Sequence, residues 1–159
     1  MFLVNNLGKL EYQVKDPAAA LVYFERAVEL GRAANDSGYW PRAEVNRAAT
    51  LGELGRNEEA VRAMRALIPV AERPGRAALQ IQLYSNLAAE LDELDRPGEA
   101  LGYARRAAAV AHPEEIQSFW NARLALARLT RRVEGAAAAV AVLDSTKALE
   151  DRQDLNRRT

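Results

Sequence analysis

The chain has 159 residues (17.5 kDa), with 22 basic and 22 acidic side chains, one histidine (His112), no cysteine and 49% hydrophobic residues. Length and composition fit one folded domain or a short repeat array, and exclude a disordered chain. Zero formal charge removes the global positive field that favours nucleic acid or an anionic membrane, while the cysteine and histidine counts exclude disulfides, thiolate zinc sites, cysteine nucleophiles and any histidine pair on a metal.

Hydrophobic periodicity predicts eight helices, at about 2–14, 17–34, 39–54, 57–72, 76–94, 97–111, 113–132 and 135–155. In the first, Leu3, Leu7, Leu10 and Val14 recur on one helical face, which predicts that this face is buried. In the second, Ala20, Leu21, Phe24, Ala27 and Val28 form another apolar stripe. Asp16-Pro17 and Arg96-Pro97 mark helix starts, since proline at the first helical position loses no hydrogen bond, and Asn57 is expected as an N-cap at the same place. Asn35-Asp36-Ser37-Gly38 with Pro41, then Pro74-Gly75, then His112-Pro113 are breakers between helix pairs. Pro69 is expected to kink or shorten the fourth helix.

The chain repeats itself. Asn6, Asn46 and Asn86 stand 40 residues apart, as do Ala20, Ala60 and Ala100, and Val14, Leu54 and Leu94. Three independent columns with one spacing define repeat units at about 1–38, 39–74 and 75–112, followed by a degenerate fourth at 113–148 in which Ala127 and Ala139 keep the small-residue columns. Each unit reads as a helical hairpin, and the small columns headed by Gly8, Ala20 and Ala27 are where paired helices cross closely.

These columns resemble the tetratricopeptide repeat. Leu7, Gly8, Ala20, Phe24 and Ala27 carry the resemblance in the first unit, and Tyr84, Leu87, Ala88, Ala100 and Ala107 in the third. The 40-residue spacing exceeds the usual value of about 34. Lengthened units of this kind, with a run like Val4-Asn5-Asn6-Leu7-Gly8, resemble those of kinesin light chains and of bacterial regulatory sensors. Departures are Glu11 for the common tyrosine, Arg47 in the leucine column, and Thr146 and Lys147 in packing columns of the last unit. The resemblance implies an all-α fold, a right-handed α-solenoid of about four units forming a single domain over 1–159, with a concave surface lined by the first helix of each unit.

No constellation for chemistry is present. The phosphate-binding, dinucleotide-binding and zinc-protease motifs are all missing, and Asp92, Glu93 and Asp95 read as solvated helix-end carboxylates. The expectation is therefore a non-enzyme without cofactor or metal. The sharper signal is the asparagine column, because asparagine is a mediocre helix former and three in register require a reason. A primary amide donates and accepts at once, so a ladder of amides can hold an extended peptide by its backbone; equally, each can bond a neighbouring repeat and order the stack. Similar asparagine columns in kinesin light chains and in the O-linked N-acetylglucosamine transferase repeats imply the first use.

The candidate peptide-binding residues on that face are Asn6, Lys9, Gln13, Arg42, Asn46, Gln82, Asn86, Arg128 and Arg132. The pattern of a carboxylate clamp for acidic C-termini is met only at Asn46, and that reading is rejected. Charge alternates along the chain: residues 1–40 carry 4 basic and 5 acidic side chains, 41–80 carry 7 and 5, 81–120 carry 3 and 7, and 121–159 carry 8 and 5, so the nets are −1, +2, −4 and +3. The Arg128, Arg131 and Arg132 group, if functional, favours a carboxylate-bearing ligand.

The expected function is a protein- or peptide-binding scaffold, the regulatory or sensory segment of a larger bacterial signalling protein with a diguanylate cyclase, kinase or DNA-binding output domain. The polar segment 149–159 reads as the linker helix toward such a domain. The alternative is a structural array that self-associates as a homodimer. No apolar run approaches the length of a membrane span and residues 1–6 lack the features of a signal peptide, so a cytoplasmic location without membrane contact is expected. The preference for arginine, with lysine only at Lys9, Lys15 and Lys147, and the richness in alanine point to a bacterial source.

Overall fold

Three turns spaced 40 residues apart set the frame. Lys15, Gly55 and Asp95 adopt φ values of +63°, +75° and +54°. Past each one, an N–H donates back to a carbonyl five residues earlier: Asp16 to Glu11 (2.9 Å), Arg56 to Leu51 (2.9 Å) and Arg96 to Leu91 (2.8 Å). This left-handed cap ends one helix and reverses the chain into the next, which begins two residues later at Pro17, Asn57 and Pro97.

The computed structural model describes residues 2–36, 38–112 and 115–158, with side chains for these except 116 and 153–158. Among the described residues every element is an α-helix: α1 (Phe2–Gln13), α2 (Pro17–Ala33), α3 (Trp40–Glu53), α4 (Asn57–Ala71), α5 (Ala77–Glu93), α6 (Pro97–Val110), α7 (Ile116–Glu134) and α8 (Ala136–Arg158). The predicted helices agree to within three residues at their ends. The expected start of the seventh at 113, and its breaker Pro113, lie outside the described residues. Pro69 does not end α4, which continues to Ala71. It sits in the last turn with its ring at the exposed surface.

Asn57 is not the cap of α4. It is the first helical residue, in the column of Pro17 and Pro97, and the cap position belongs to the residue before it. Asp16 fills that position with a side-chain oxygen that accepts from the Ala19 N–H at 2.9 Å. In the next two repeats the position is an arginine without a side-chain cap bond; it reaches a glutamate three residues on instead, Arg56 to Glu59 and Arg96 to Glu99, both at 2.7 Å.

The chain forms two compact units, Met1–Leu79 and Gln80–Thr159. In the first, α1 packs on α2, α2 on α3 and α3 on α4. The core is Ala20, Phe24, Ala27, Ala43, Val45, Ala48, Leu51, Ala60, Val61, Met64 and Leu67, all essentially inaccessible. Burying a side chain such as Phe24 or Met64 contributes about 1.5–3 kcal/mol, so these crossings hold the hairpins together. In the second unit α7 packs on both α6 and α8. Its core is Leu83, Leu87, Leu91, Ala100, Leu101, Ala104, Ala107, Phe119, Ala122 and Leu129. The small-residue columns are buried in every repeat: Gly8, Ala48, Ala88 and Ala127 in one, Ala20, Ala60, Ala100 and Ala139 in another.

One expected face is not buried. Leu3, Leu10 and Val14 are 71%, 53% and 64% exposed. The reason is the side from which α2 approaches. A Cβ built on Gly8 would lie 2.7 Å from the Phe24 ring, so α1 and α2 meet along the Gly8 side. Asn5 and Gly8 are the buried residues of α1, with Val4 packed partly against Ala27, Val28, Tyr39 and Ala43. In α3 the residues in register with Leu3 and Leu10 are Ala43 and Thr50, and both are buried.

Candidate peptide-binding surface

In the first unit the candidate residues come from α1 and α3. Asn6, Lys9 and Gln13 are exposed along α1, at the spacing of one helical face. Arg42 is exposed in the first turn of α3, and Asn46 is half-buried one turn later. The Asn46 side-chain amide donates to Asn5 Oδ1 at 3.1 Å, tying α3 to α1. Asn5 itself is only 6% exposed. The Thr50 hydroxyl donates to the Asn46 carbonyl at 2.9 Å, and the Tyr12 hydroxyl donates to Glu53 across the same pair of helices at 2.9 Å. The asparagine column therefore has an internal partner that was not singled out in the sequence. The available signal was the doublet Asn5-Asn6: a helix that carries two adjacent amides turns one inward, and a buried amide needs a partner.

Beside this surface α3 carries an ion-pair cluster around buried Glu44. Glu44 accepts from Arg47 through Nη2 (2.7 Å) and Nε (3.2 Å), with Arg32 at 3.8 Å from its other oxygen. The hydrogen bond to Glu44 raises the Arg47 pKa above its ordinary value, against the opposing effect of burial, so the guanidinium is held charged. Arg47 thus occupies a leucine column without disrupting α3, because Glu44 neutralises it one turn earlier. Arg32 lies over the Trp40 ring, 4.9 Å from its centre. Tyr39 packs edge-on against Phe2 at 4.5 Å, and burial, with Asp36 as the lesser cause, pushes its hydroxyl pKa up.

In the second unit Gln82 and Asn86 lie half-buried four residues apart on α5. Arg128 and Arg132 are on α7, and their partners are the chain's own carboxylates. Arg128 pairs with Asp92 at 3.1 Å, and Arg132 pairs with both Asp92 and Asp95. Asp92 is 12% exposed at its side chain, so it is not a solvated helix-end group. Arg106 lies 4.2 Å over the Tyr84 ring and donates to its hydroxyl at 2.8 Å. The acidic third repeat and the basic fourth answer one another here.

Among the described residues no group of three or more His, Asp and Glu is placed to hold a metal ion, and no helix is long and apolar enough to cross a membrane. Helical hairpins with buried small-residue crossings, in each unit taken by itself, define a helical-repeat architecture. Residues 4–37 match the family model of the tetratricopeptide repeat, so the first helix pair carries that repeat. The sequence matches none of the curated proteins.

Among solved structures, the chain is similar to MamA, at 14% identity and a TM-score of 0.68 over 95% of this chain and 78% of that one. It is also similar to BtubC (BKLC) from P. vanneervenii, at 15% identity and a TM-score of 0.78 over 95% of this chain and 63% of that one. At such identities the likeness shows the all-α repeat fold. A tetratricopeptide fold is a scaffold for protein–protein interaction, and proteins built on it are typically not enzymes.

Proposed function

We propose that the chain is a peptide-binding scaffold, a regulatory or sensory segment of a larger bacterial signalling protein of the cytoplasm. The observation that carries the peptide reading is the Asn5–Asn46 bond, which fixes one amide at the junction of α1 and α3 while Asn6, Lys9, Gln13 and Arg42 stay exposed around it. A pre-oriented amide grips a peptide group with less ordering cost than a free one. In the second unit, taken by itself, Gln82 and Asn86 are the peptide-binding candidates. Arg128 and Arg132 serve there as braces to Asp92 and Asp95, and meet a ligand only through the solvent-facing part of each guanidinium.

The test separates ligand contact from packing. Asn6→Ala is expected to leave stability unchanged and to weaken binding of peptides selected from a random library. Asn46→Ala is expected to cost both, because it removes the donor to buried Asn5. Library peptides that bind the Asn6→Ala and parent proteins equally would refute the peptide reading. The larger-protein reading is tested by the gene's full reading frame, where an output domain encoded after Thr159 is expected.

A second reading, self-association, is favoured by the exposed Leu3, Leu10 and Val14 face of α1. Sedimentation equilibrium of the parent and of Leu10→Glu tests it. A dimer that the substitution dissolves supports self-association, and a monomer at all concentrations rejects it.

A further inference from the structure

At the loop end of the first unit lies an open cleft of about 270 Å³, lined by Gly38, Arg42, Pro74, Gly75, Arg76 and Leu79. It joins the turn before α3 to the turn before α5. Two cationic side chains wall it. Several arginines of the chain meet carboxylates: Arg47 on Glu44, Arg56 on Glu59, Arg105 on Glu134, Arg132 on Asp92. Among the described residues neither the Arg42 nor the Arg76 side chain has a hydrogen bond, ion pair or ring contact. Two like charges facing one concavity repel, and low-dielectric walls concentrate their field on an anion.

The other walls narrow the choice of anion. Pro74 and Leu79 are apolar, so the cleft suits a charged head on a short methylene stem rather than a free inorganic ion. A guanidinium offers a planar fork that matches the two oxygens of a carboxylate. We infer that this cleft is an acidic-side-chain pocket: Arg42 and Arg76 hold the carboxylate of a Glu or Asp on the bound peptide, with its stem against Pro74 and Leu79. The inference rests on the peptide-binding reading above and gives that peptide a chemistry. Arg42 lies four residues before Asn46 on α3, about 6 Å along the axis. That is the reach of about two extended residues. The required acid therefore stands about two positions from the residue whose backbone Asn46 holds.

The experiment has two arms. In the first, peptides selected on the intact chain are compared with copies in which the acid is replaced by its amide. The expected result is binding about tenfold weaker for the Glu→Gln peptide on the parent protein, the scale of one charge-assisted hydrogen bond. The Arg42→Gln/Arg76→Gln variant is expected to bind both peptides with the same weakened affinity. Selected peptides without an acid, or an unchanged preference in the variant, would overturn the pocket.

The second arm needs no peptide. Arginine Nε–Hε NMR signals are followed during titration with sodium acetate, and separately with inorganic phosphate, at constant ionic strength. Saturable shifts from acetate at Arg42 and Arg76, with none at exposed Arg62 and Arg131, are expected. Uniform shifts across all arginines would refute the pocket, and saturation by phosphate at a lower concentration than acetate would refute its assignment to a carboxylate. If acetate saturates the pair while no library peptide binds, the cleft stands and the peptide reading of the α1–α3 surface falls.

Discussion

Replacing one glycine by alanine has opposite predicted effects at different sites in this chain, and the sign is set by the space at Cβ. In a helix interior the change gains about 0.8–1.0 kcal/mol of helix propensity. Gly31, on α2, faces the first turn of α3: an added Cβ would lie 2.7 Å from Trp40 Cβ and 3.1 Å from Trp40 Cα. The obstacle is the start of a helix whose ring is stacked under Arg32, so a rotamer change does not relieve it. Parting α2 from α3 belongs to the overpacking class, about 1–3 kcal/mol. With backbone in the way the upper half of that range applies, and Gly31→Ala is expected to destabilise by about 1–2 kcal/mol net of the propensity gain. Gly102, inside α6, has nothing within 4 Å of an added Cβ, so Gly102→Ala is expected to stabilise by about 0.5–1 kcal/mol. The assay is urea unfolding read by tryptophan fluorescence. One tryptophan lies in each compact unit, so a Trp120→Phe background reports the first through Trp40 and a Trp40→Phe background reports the second through Trp120. A Gly31→Ala protein as stable as its parent, or a Gly102→Ala protein less stable than its parent, would refute the reasoning.

Other expectations follow from single contacts. Asp16→Ala removes the only side-chain oxygen seen capping α2 and should cost about 1 kcal/mol, measurable in the same unfolding assay. Lys15→Gly relieves a left-handed conformation at an exposed residue and should stabilise by about 0.5–1 kcal/mol; a loss would mean that the φ of +63° carries no strain. Tyr39 has a raised pKa in the fold, from burial first and Asp36 second, so the fold favours its neutral form. The corresponding stability is complete below the unfolded value of about 10 and is lost as pH climbs through the higher folded value. Unfolding curves above pH 10 should therefore show a fall that Tyr39→Phe reduces, and an identical slope in the variant would remove Tyr39 as its source.

Much of the fold was legible because its signals are local. Breakers and periodicity placed eight helices, and the 40-residue columns found the close crossings: Ala20, Ala60 and Ala100 are fully buried. What misled was also local. Leu3, Leu10 and Val14 have the spacing of a core face, but spacing alone does not say which helix covers it, and α2 approaches along Asn5 and Gly8 instead. Asn57 has a capping side chain, yet the column fixed by Pro17 and Pro97 places it one residue inside the helix. For the candidate surface, the asparagine column was readable from sequence, while the Asn5–Asn46 bond was not. It depends on how two helices 41 residues apart are rotated, and that is a tertiary fact.

Zero net charge is a statement about sums, and the structure shows how the sum is arranged. The −4 of residues 81–120 and the +3 of residues 121–159 meet in part at one place, where Asp92 and Asp95 take Arg128 and Arg132. Those charges are satisfied inside the second unit, and a ligand must compete with Asp92 to reach them. The +2 of residues 41–80 is of another kind. Arg47 and Arg56 are answered by Glu44 and Glu59, whereas Arg42 and Arg76 face a shared cleft without a carboxylate. Desolvating a paired guanidinium forfeits an existing bond, while an unpaired one has only water to lose, so acidic ligands are drawn to the first unit rather than to the arginine-richer α7. Sequence counting favoured the cluster at 128–132 because it is dense. Pairing, not density, decides which positive charge remains for a partner.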